Sequence, residues 1–310
     1  MRFYSILLFF LISCSHLNSK KGLIIAHRGA SAFLPEHTLE AYSYAHAKEV
    51  DFIETDIVFT KDSKAICLHD IYLEPTTNIE DIFPKRKRKD GHWYAIDFTL
   101  KEIKKLRVHE RTHKNEQVFP KRFPLHYSSF QIPTFEEFIE LVEGLNKSTG
   151  KDIGIYPEIK KPEFHEREGI NSKELTINII KKYNFDKTTS RIFIQSFDPK
   201  SLKWVQSKNK HFQLIQLIGE NDWGDSSADF NFLKTNQGLD EIATYAAGIG
   251  IWFNHIKNDP TIIHRAKNRK LKVHVYTYRP ESMSRKIKDY FKRYQIDGIF
   301  TDIPSNGDIN

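Results

Sequence analysis

Cysteine is scarce in this chain, with two residues, Cys14 and Cys67, among 310. Two cysteines cannot build the framework of a small disulfide-stabilised scaffold. Long apolar runs are also missing: none approaches the roughly 20 residues that a membrane-spanning helix needs, which excludes a multi-pass membrane protein. Because 39% of the residues are hydrophobic, the composition supports a real core and excludes disordered, collagen-like and coiled-coil chains.

Charge of one sign is not strongly in excess, since 47 Lys and Arg face 40 Asp and Glu, a net charge of +7. Such a bias attracts phosphate groups, but drift produces the same value in many soluble proteins, so it assigns no function. No nucleic-acid-binding motif accompanies the charge, and we expect no nucleic-acid partner. The basic run at residues 85–89 is interpreted as solvated surface, with a phosphate or membrane-surface contact as the alternative.

The N-terminus has the pattern of a targeting segment. Arg2 precedes the apolar run Phe3–Ile12, which is about 15 Å long as a helix, half of the roughly 30 Å hydrocarbon core. Residues 11–14, Leu-Ile-Ser-Cys, resemble a bacterial lipobox. We therefore predict a signal peptide over residues 1–13, a lipid anchor on Cys14 and a tether over residues 14–21, with an ordinary secretory signal as the alternative. The mature protein is then an exported, membrane-anchored lipoprotein facing the periplasm or the cell surface, in which Cys67 is unpaired.

Short apolar runs alternate with amphipathic stretches from residue 22 onward. This alternation predicts a parallel sheet and, at this count, an α/β fold of the TIM (β/α)8 barrel type over residues 22–310. The alternative is an open doubly wound sheet, but the Gly-rich phosphate loop typical of that fold does not follow the first strand. The predicted strands are Leu23–His27, Asp51–Phe59, Ala65–His69, Ile153–Lys160, Arg191–Ser196, Phe212–Leu217, Gly248–Trp252, Lys272–Tyr276 and Asp297–Thr301. The predicted helices are Thr38–Lys48, Thr134–Leu145, Ser172–Lys182, Pro199–Lys208, Thr261–Arg269 and Glu281–Arg293.

Nine strands exceed the eight of a barrel, and the join at residues 60–64 explains the surplus. It is too short for a parallel crossover, so residues 51–59 and 65–69 are predicted to form an antiparallel hairpin. A turn centred near residues 62–63 pairs residues whose numbers sum to about 125, which brings His69 opposite Asp56. Residues 70–133 then interrupt the alternation, and they are too long for a structureless loop, so we predict a small inserted subdomain.

Three carboxylates lie on strand faces where packing alone favours apolar residues. Period-two alternation puts Phe52, Glu54 and Asp56 on one face of the second strand, and Glu158 can supply a third carboxylate. Neighbouring buried carboxylates repel unless a cation lies between them, and hard oxygen ligands favour Ca²⁺ or Mg²⁺ over zinc. An exposed edge strand, or a structural ion pair between Glu158 and Lys160, is the alternative.

Two histidines at strand ends, His27 and His69, suit general acid and base catalysis near neutral pH. Arg28 offers a planar fork that grips phosphate, and Lys160 offers a fixed positive charge. A divalent cation, two histidines, an Arg and a Lys around one barrel mouth indicate phosphoryl-ester chemistry.

These residues belong to segments that together resemble the glycerophosphodiester phosphodiesterases, in particular their exported, GlpQ-type subgroup. The resemblance spans roughly residues 22–304 and includes the insertion. The segments that carry it are Ile25–Ser31, Pro35–Ala41, Glu54–Asp56, Leu68–Asp70, Tyr94–Leu100, Gly144–Gly150, Tyr156–Lys160, Gln195–Asp198 and Gly298–Asp302.

The resemblance implies a TIM barrel that hydrolyses glycerophosphodiesters, such as glycerophosphocholine and glycerophosphoethanolamine, to sn-glycerol 3-phosphate and an alcohol. It implies one divalent cation, Ca²⁺ first and Mg²⁺ as the alternative. The expected membrane partner follows instead from the lipobox at Cys14. A phospholipase-type phosphodiesterase on the same barrel and a surface binding lipoprotein are the rival functions. The implied roles are metal ligation by Glu54, Asp56 and Glu158, acid–base catalysis by His27 and His69, and substrate or phosphate binding by Arg28, Lys160 and Phe197.

Overall fold

The computed structural model describes residues 22–304, apart from positions 115, 128, 280 and 282–286. The predicted signal peptide, lipobox and tether of residues 1–21 lie outside the described residues. Among the helices that are described, none has both the length and the apolar character needed to cross a membrane.

Eleven strands and twelve α-helices make up the described fold. The strands are β1 (Leu23–Ala26), β2 (Phe52–Phe59), β3 (Ala65–Cys67), β4 (Thr112–His113), β5 (Glu116–Gln117), β6 (Gly154–Ile159), β7 (Phe193–Ser196), β8 (Gln213–Ile218), β9 (Gly248–Trp252), β10 (Lys272–Tyr278) and β11 (Gly298–Thr301). The helices are α1 (Leu39–Ala47), α2 (Ile79–Ile82), α3 (Leu100–Ile103), α4 (Phe135–Thr149), α5 (Pro162–Arg167), α6 (Ser172–Lys182), α7 (Pro199–Lys208), α8 (Phe230–Leu233), α9 (Asn236–Ile242), α10 (Phe253–Asn258), α11 (Thr261–Lys267) and α12 (Ile287–Tyr294).

Eight parallel strands close into a barrel, which confirms the predicted fold over the open doubly wound sheet. Neighbours follow the order β1, β11, β10, β9, β8, β7, β6 and β2, and β1 closes the ring against β2. At the closure, Ile24 pairs with Ile299 on one side and Ile25 with Phe52 on the other. The ring brings the carboxyl ends of all eight strands to one mouth, where side chains from distant segments meet.

The ninth strand, β3, is the second arm of the predicted hairpin. Ile57 pairs with Cys67 and Phe59 with Ala65, so the residue numbers sum to 124, within one of the predicted 125. Continued along the chain, this register puts His69 opposite Thr55, one position from the predicted Asp56. β3 can pair with β2 without displacing β1. The reason is that β1 pairs with Phe52 and Ile53 at the start of β2, whereas β3 pairs with the last three residues of β2.

Local sequence signals set the ends of the longer helices. At α4, the Thr134 hydroxyl accepts from the Glu137 backbone N–H, and the Glu137 carboxylate accepts from the Thr134 N–H, a capping box. The helix runs to Thr149, four residues beyond the predicted end, because Gly150 is the first residue with a left-handed backbone (φ 70°).

The barrel interior is divided along its axis. A buried, largely aromatic cluster fills one part, formed by Ile25, Phe52, Tyr156, Phe193, Ile215 and Phe300. Further along β2 and β6, towards their carboxyl ends, the inward positions become Glu54, Asp56 and Glu158. The apolar cluster therefore forms a floor beneath a polar mouth.

Residues 70–133 carry the short elements α2, α3, β4 and β5 and a 3-10 turn at Ala95–Asp97. Their apolar side chains, including Ile79, Trp93 and Ile103, join the large core cluster of the barrel. Within the basic run, Arg86 and Arg88 form ion pairs with Glu102, Asp97 and Glu168, and the three lysines are exposed. This pattern fits a solvated surface that is partly neutralised within the chain.

Candidate active site

Three carboxylates from two adjacent strands meet at the mouth of the barrel. Parallel pairing of β2 with β6 sets Asp56 beside Glu158, with Glu54 two residues earlier on the same face. All three residues are buried, and one oxygen from each lies within 4.8 Å of the others. Gln195 pairs with Glu158 on the other side, and its buried side-chain oxygen Oε1 has no hydrogen-bond partner among the described residues.

The electrostatics of this cluster fit a divalent cation. Burial, reinforced by the Asp56 carboxylate, raises the pKa of Glu54 well above its usual value, and the same two causes raise the pKa of Glu158. Burial acts on Asp56 too, but the Lys160 ammonium and the neighbouring His69 and His37 hold its pKa well below its usual value. Buried carboxylates this close together repel each other, and a hard divalent cation bound between their oxygens offsets that repulsion. Glu54, Asp56 and Glu158 could therefore hold a metal ion.

Two cationic side chains border the carboxylates. The Lys160 Nζ lies 3.1 Å from Glu158 Oε1 and 3.9 Å from Asp56 Oδ1, and these carboxylates raise its pKa despite burial. The Arg28 backbone N–H donates to Glu54 Oε2 at 2.6 Å, and its Nε lies 3.7 Å from Asp56 Oδ2. Both cations thus face the same space as the carboxylates, where an anionic group can be gripped.

The two predicted histidines lie at the rim with the same ring nitrogen tied to a carboxylate. His27 Nδ1 donates to Asp302 Oδ1 at 2.6 Å, and His69 Nδ1 donates to Asp70 Oδ1 at 2.8 Å. Because a carboxylate accepts, each neutral ring carries its proton on Nδ1 and leaves Nε2 free to take one. His69 Nε2 accepts a hydrogen bond from the Lys160 Nζ at 3.3 Å.

Both histidines are held neutral in this environment. Burial, and then the Arg28 guanidinium, lower the pKa of His27 to about 4, although Asp302 opposes the shift. Burial, Arg28 and Lys160 lower the pKa of His69 to about 3. Two neutral imidazoles that each carry an unprotonated Nε2 beside an anion site are equipped to accept and return protons.

The predicted site residues line one cavity of about 250 Å³. The carboxylates, both histidines, Arg28, Lys160 and Phe197 all line it. Phe197 presents its ring 5.5 Å from the Lys160 Nζ. The cavity is also lined by Trp223, Asp225, Trp252 and Tyr276.

Several supporting residues were missed at the sequence level. His37 Nε2 lies 2.9 Å from Asp56 Oδ2, and Glu36 accepts from the Arg28 guanidinium at 3.0 Å. Asp70 and Asp302 hold the histidines, as described above. All four lie within the motif segments Pro35–Ala41, Leu68–Asp70 and Gly298–Asp302, so polar residues beside the assigned ones in those segments were the available signal.

The loop after β1 has a backbone that tolerates little change. Arg28 and Gly29 both have positive φ, 57° and 80°. A Cβ on Gly29 would lie 2.9 Å from the backbone carbon of Ala41, whereas a Cβ on Gly169, with φ 83°, would meet nothing within 4 Å.

We expect Gly29→Ala to destabilise the protein more than Gly169→Ala. Both variants pay for a left-handed alanine, about 1–2 kcal/mol, but at Gly29 a backbone contact must also give way. Chemical denaturation gives the two free energies of unfolding. Equal losses in the two variants would contradict this account of the loop.

Comparison with known proteins agrees with the geometry. The profile of the Glycerophosphoryl diester phosphodiesterase family matches residues 27–306. The glycerophosphodiester phosphodiesterase of Haemophilus influenzae is 36% identical, covering 92% of this chain and 88% of the relative. That of Treponema pallidum is 31% identical, covering 92% and 90%.

Solved structures share the fold. An Oleispira antarctica phosphodiesterase, solved in complex with the product sn-glycerol-3-phosphate, aligns with a TM-score of 0.65 at 20% identity, covering 91% of this chain and 93% of that one. A glycerophosphodiester phosphodiesterase from Agrobacterium tumefaciens aligns with a TM-score of 0.62 at 19% identity, covering 91% and 97%. The family match extends over most of the chain, and two relatives exceed 30% identity over nine-tenths of it. The chain is therefore an enzyme that belongs to the glycerophosphodiester phosphodiesterase family.

Proposed function

We propose that this enzyme hydrolyses glycerophosphodiesters, with glycerophosphocholine and glycerophosphoethanolamine as substrates, to sn-glycerol 3-phosphate and an alcohol, and that it needs a divalent cation. The observation that carries the proposal is the convergence of three carboxylates, two cations and two neutral histidines on one cavity of about 250 Å³. The product in the related Oleispira antarctica structure supports the substrate class.

Glu54, Asp56 and Glu158 are the residues that would hold the cation. Their carboxylate oxygens favour Ca²⁺, with Mg²⁺ as the alternative, because both ions prefer oxygen ligands. When bound, such a cation would polarise a phosphoryl oxygen and offset the negative charge of the transition state. Gln195 lies beside the set and can orient Glu54, since its Nε2 lies 3.4 Å from Glu54 Oε1.

The chain's own cations would bind the phosphodiester. Arg28 is the planar donor and Lys160 the point charge, and both are buried against the carboxylates. Phe197 would offer an apolar surface to the substrate next to Lys160. Holding the phosphate between these groups fixes the reacting atoms relative to the histidines, which is where positioning contributes most to rate.

His27 and His69 would form the acid–base pair. One Nε2 takes a proton from the attacking oxygen, which belongs to water in a direct displacement, or to a glycerol hydroxyl in a first step whose cyclic phosphate water then opens. The other ring, protonated in the substrate complex beside the phosphodiester anion, returns a proton to the oxygen of the departing alcohol. Asp302 and Asp70 fix each ring through Nδ1, so that Nε2 is the atom that exchanges protons.

The test is a substrate panel assayed with the full chain and added Ca²⁺. We expect sn-glycerol 3-phosphate to be released from glycerophosphocholine and glycerophosphoethanolamine, while phosphatidylcholine vesicles stay intact. Turnover of the intact lipid without turnover of the glycerophosphodiesters would favour a phospholipase-type enzyme instead. No turnover of either class, in a folded protein, would leave the surface binding lipoprotein as the better account.

We infer that the enzyme is exported and held at a membrane through a lipid on Cys14, because Leu11–Cys14 has the lipobox pattern behind an apolar run. Several acyl chains on one residue anchor firmly, since each buried CH₂ contributes about 0.8 kcal/mol. Cys14→Ala is expected to move the protein from the membrane pellet to the soluble fraction, with activity per molecule unchanged. Membrane retention of this variant, compared with Cys67→Ala as the control, would contradict the anchor.

A further inference from the structure

We propose that the 70–133 insertion acts as a positioning clamp for the catalytic groups, through Arg111 and Arg122. The inference rests on the proposed function, because it assigns a role in that same chemistry. Neither arginine lines the main cavity. Arg111 instead binds two carboxylates that each hold a catalytic or phosphate-binding side chain. Arg122 binds one such carboxylate, Asp302, and also Glu281.

Arg111 holds two carboxylates at once. Its Nη1 donates to Asp70 Oδ2 at 2.6 Å, its Nη2 to Glu36 Oε1 at 2.6 Å and its Nε to Glu36 Oε2 at 3.0 Å. Asp70 uses its other oxygen for His69 Nδ1, and Glu36 accepts from Arg28 Nη1 at 3.0 and 3.1 Å. One guanidinium from the insertion therefore fixes the partners of both His69 and Arg28.

Arg122 serves the other histidine. Its Nη2 donates to Asp302 Oδ2 at 2.7 Å, while Asp302 Oδ1 accepts from His27 Nδ1. The side chain is 5% exposed and is fixed further by a 3.2 Å bond to the Ser31 carbonyl and by the Phe119 ring, 3.7 Å away. Arg279, the residue directly after β10, donates to the same Asp302 oxygen at 3.0 Å.

The planar fork of arginine is what makes such a bridge rigid. Each guanidinium sets the angle between two partners, which a lysine ammonium cannot do. The insertion would thereby restrict the rotation of Asp70, Glu36 and Asp302. These carboxylates in turn orient the two catalytic histidine rings and the Arg28 guanidinium, which face the substrate. Small misplacement of such groups costs large factors in rate.

Because the two arginines bind different partners, their alanine variants are expected to change kcat and KM differently. Arg122 reaches a proton-transfer group through Asp302, so Arg122→Ala is expected to lower kcat about 10–100-fold and leave KM within about threefold. Arg111 also reaches the phosphate-binding Arg28, so Arg111→Ala is expected to lower kcat similarly and raise KM about tenfold. Arg111→Lys restores a charge but not the fork, and an intermediate loss is expected.

Arg88 provides the matched control. It is another insertion arginine with two carboxylate partners, Asp97 and the barrel residue Glu168, and neither touches the cavity. Arg88→Ala is expected to keep kcat and KM within about twofold. A cavity of about 250 Å³ that adjoins the main one, and shares His27, Arg28 and His69 with it, is lined by Arg111 and Arg122. Added guanidinium ion can therefore reach the space left in Arg111→Ala and is expected to restore part of its kcat.

The experiment measures kcat, KM and thermal unfolding for the full chain and these variants on glycerophosphocholine with Ca²⁺. Selective kinetic losses with the guanidinium rescue support the clamp. An active wild type whose Arg111→Ala and Arg122→Ala variants keep both constants overturns it. So does a loss that follows the drop in Tm equally in all three alanine variants, which indicates general stabilisation. If Arg111→Ala fails to fold, Arg111→Lys decides by the same criteria. An inactive wild type overturns the proposed function itself.

Discussion

Replacing His27 or His69 with alanine is expected to lower kcat about 10²–10⁴-fold, the range that general acid–base catalysis contributes. Each histidine opens on the cavity with Nδ1 tied to its own carboxylate, so the two do not substitute for each other. The double variant is expected to lose little more than the worse single variant, because the two groups act in one reaction.

The histidine prediction is checked by steady-state kinetics on glycerophosphocholine at saturating Ca²⁺. His211→Ala is the control, since His211 is exposed and lies outside the cavity, and its activity is expected within about twofold of wild type. Robust activity in the double alanine variant would remove the acid–base assignment.

Removal of one of the three clustered carboxylates has the second large effect that we expect. Glu158→Gln and Asp56→Asn each delete one charge from the three oxygens that lie within 4.8 Å. Activity at saturating Ca²⁺ is expected to fall at least about 10²-fold, comparable to the loss of a group that stabilises transition-state charge. Chelation of the wild type is expected to give the same loss, reversed by added Ca²⁺. Glu163→Gln, whose carboxylate binds Ser227 and Lys200 outside the cavity, is the control.

A stability measurement tests the same three carboxylates, because removing one of their charges is expected to stabilise the fold when no cation is bound. The folded state raises the pKa of Glu54, through burial and Asp56. An acid whose pKa is raised on folding destabilises the fold at pH values above its ordinary pKa. In chelator at pH 7, Glu54→Gln is therefore expected to raise Tm, while the amide oxygen still accepts from the Arg28 N–H. In saturating Ca²⁺ the variant is expected to be less stable than wild type, because it binds the cation more weakly. If Glu54→Gln shifts Tm equally in chelator and in saturating Ca²⁺, repulsion between Glu54 and Asp56 is contradicted.

Much of this architecture follows from sequence because its signals are local or periodic. The nine strand segments, a hairpin register sum of about 125 against the observed 124, and the shared face of Glu54 and Asp56 all derive from period-two patterns and a short join. The end of α4 did not follow from the apolar period: the helix continues past the predicted Leu145 to Thr149, because the left-handed backbone of Gly150 ends it.

The supporting shell of the site did not follow from sequence. Asp302 lies 275 positions from His27, and barrel closure alone brings them together. Arg111 and Arg122 lie in an insertion without periodicity, where charged residues are expected to be solvated. Their partners are set by how the insertion packs on the mouth, which no local pattern encodes. The signal peptide and lipid anchor stay predictions, because residues 1–21 lie outside the described chain.

The most direct test of the central claim follows sn-glycerol 3-phosphate released from glycerophosphocholine by one preparation in three states: as purified, after chelation, and after Ca²⁺ is restored. We predict release, loss and recovery for the wild type. For the folded His27→Ala, His69→Ala double variant we predict release at least about 10²-fold slower, in every state, than that of the wild type with Ca²⁺. Undiminished release after complete removal of divalent cations would contradict the claim that this barrel mouth performs metal-dependent phosphodiester hydrolysis.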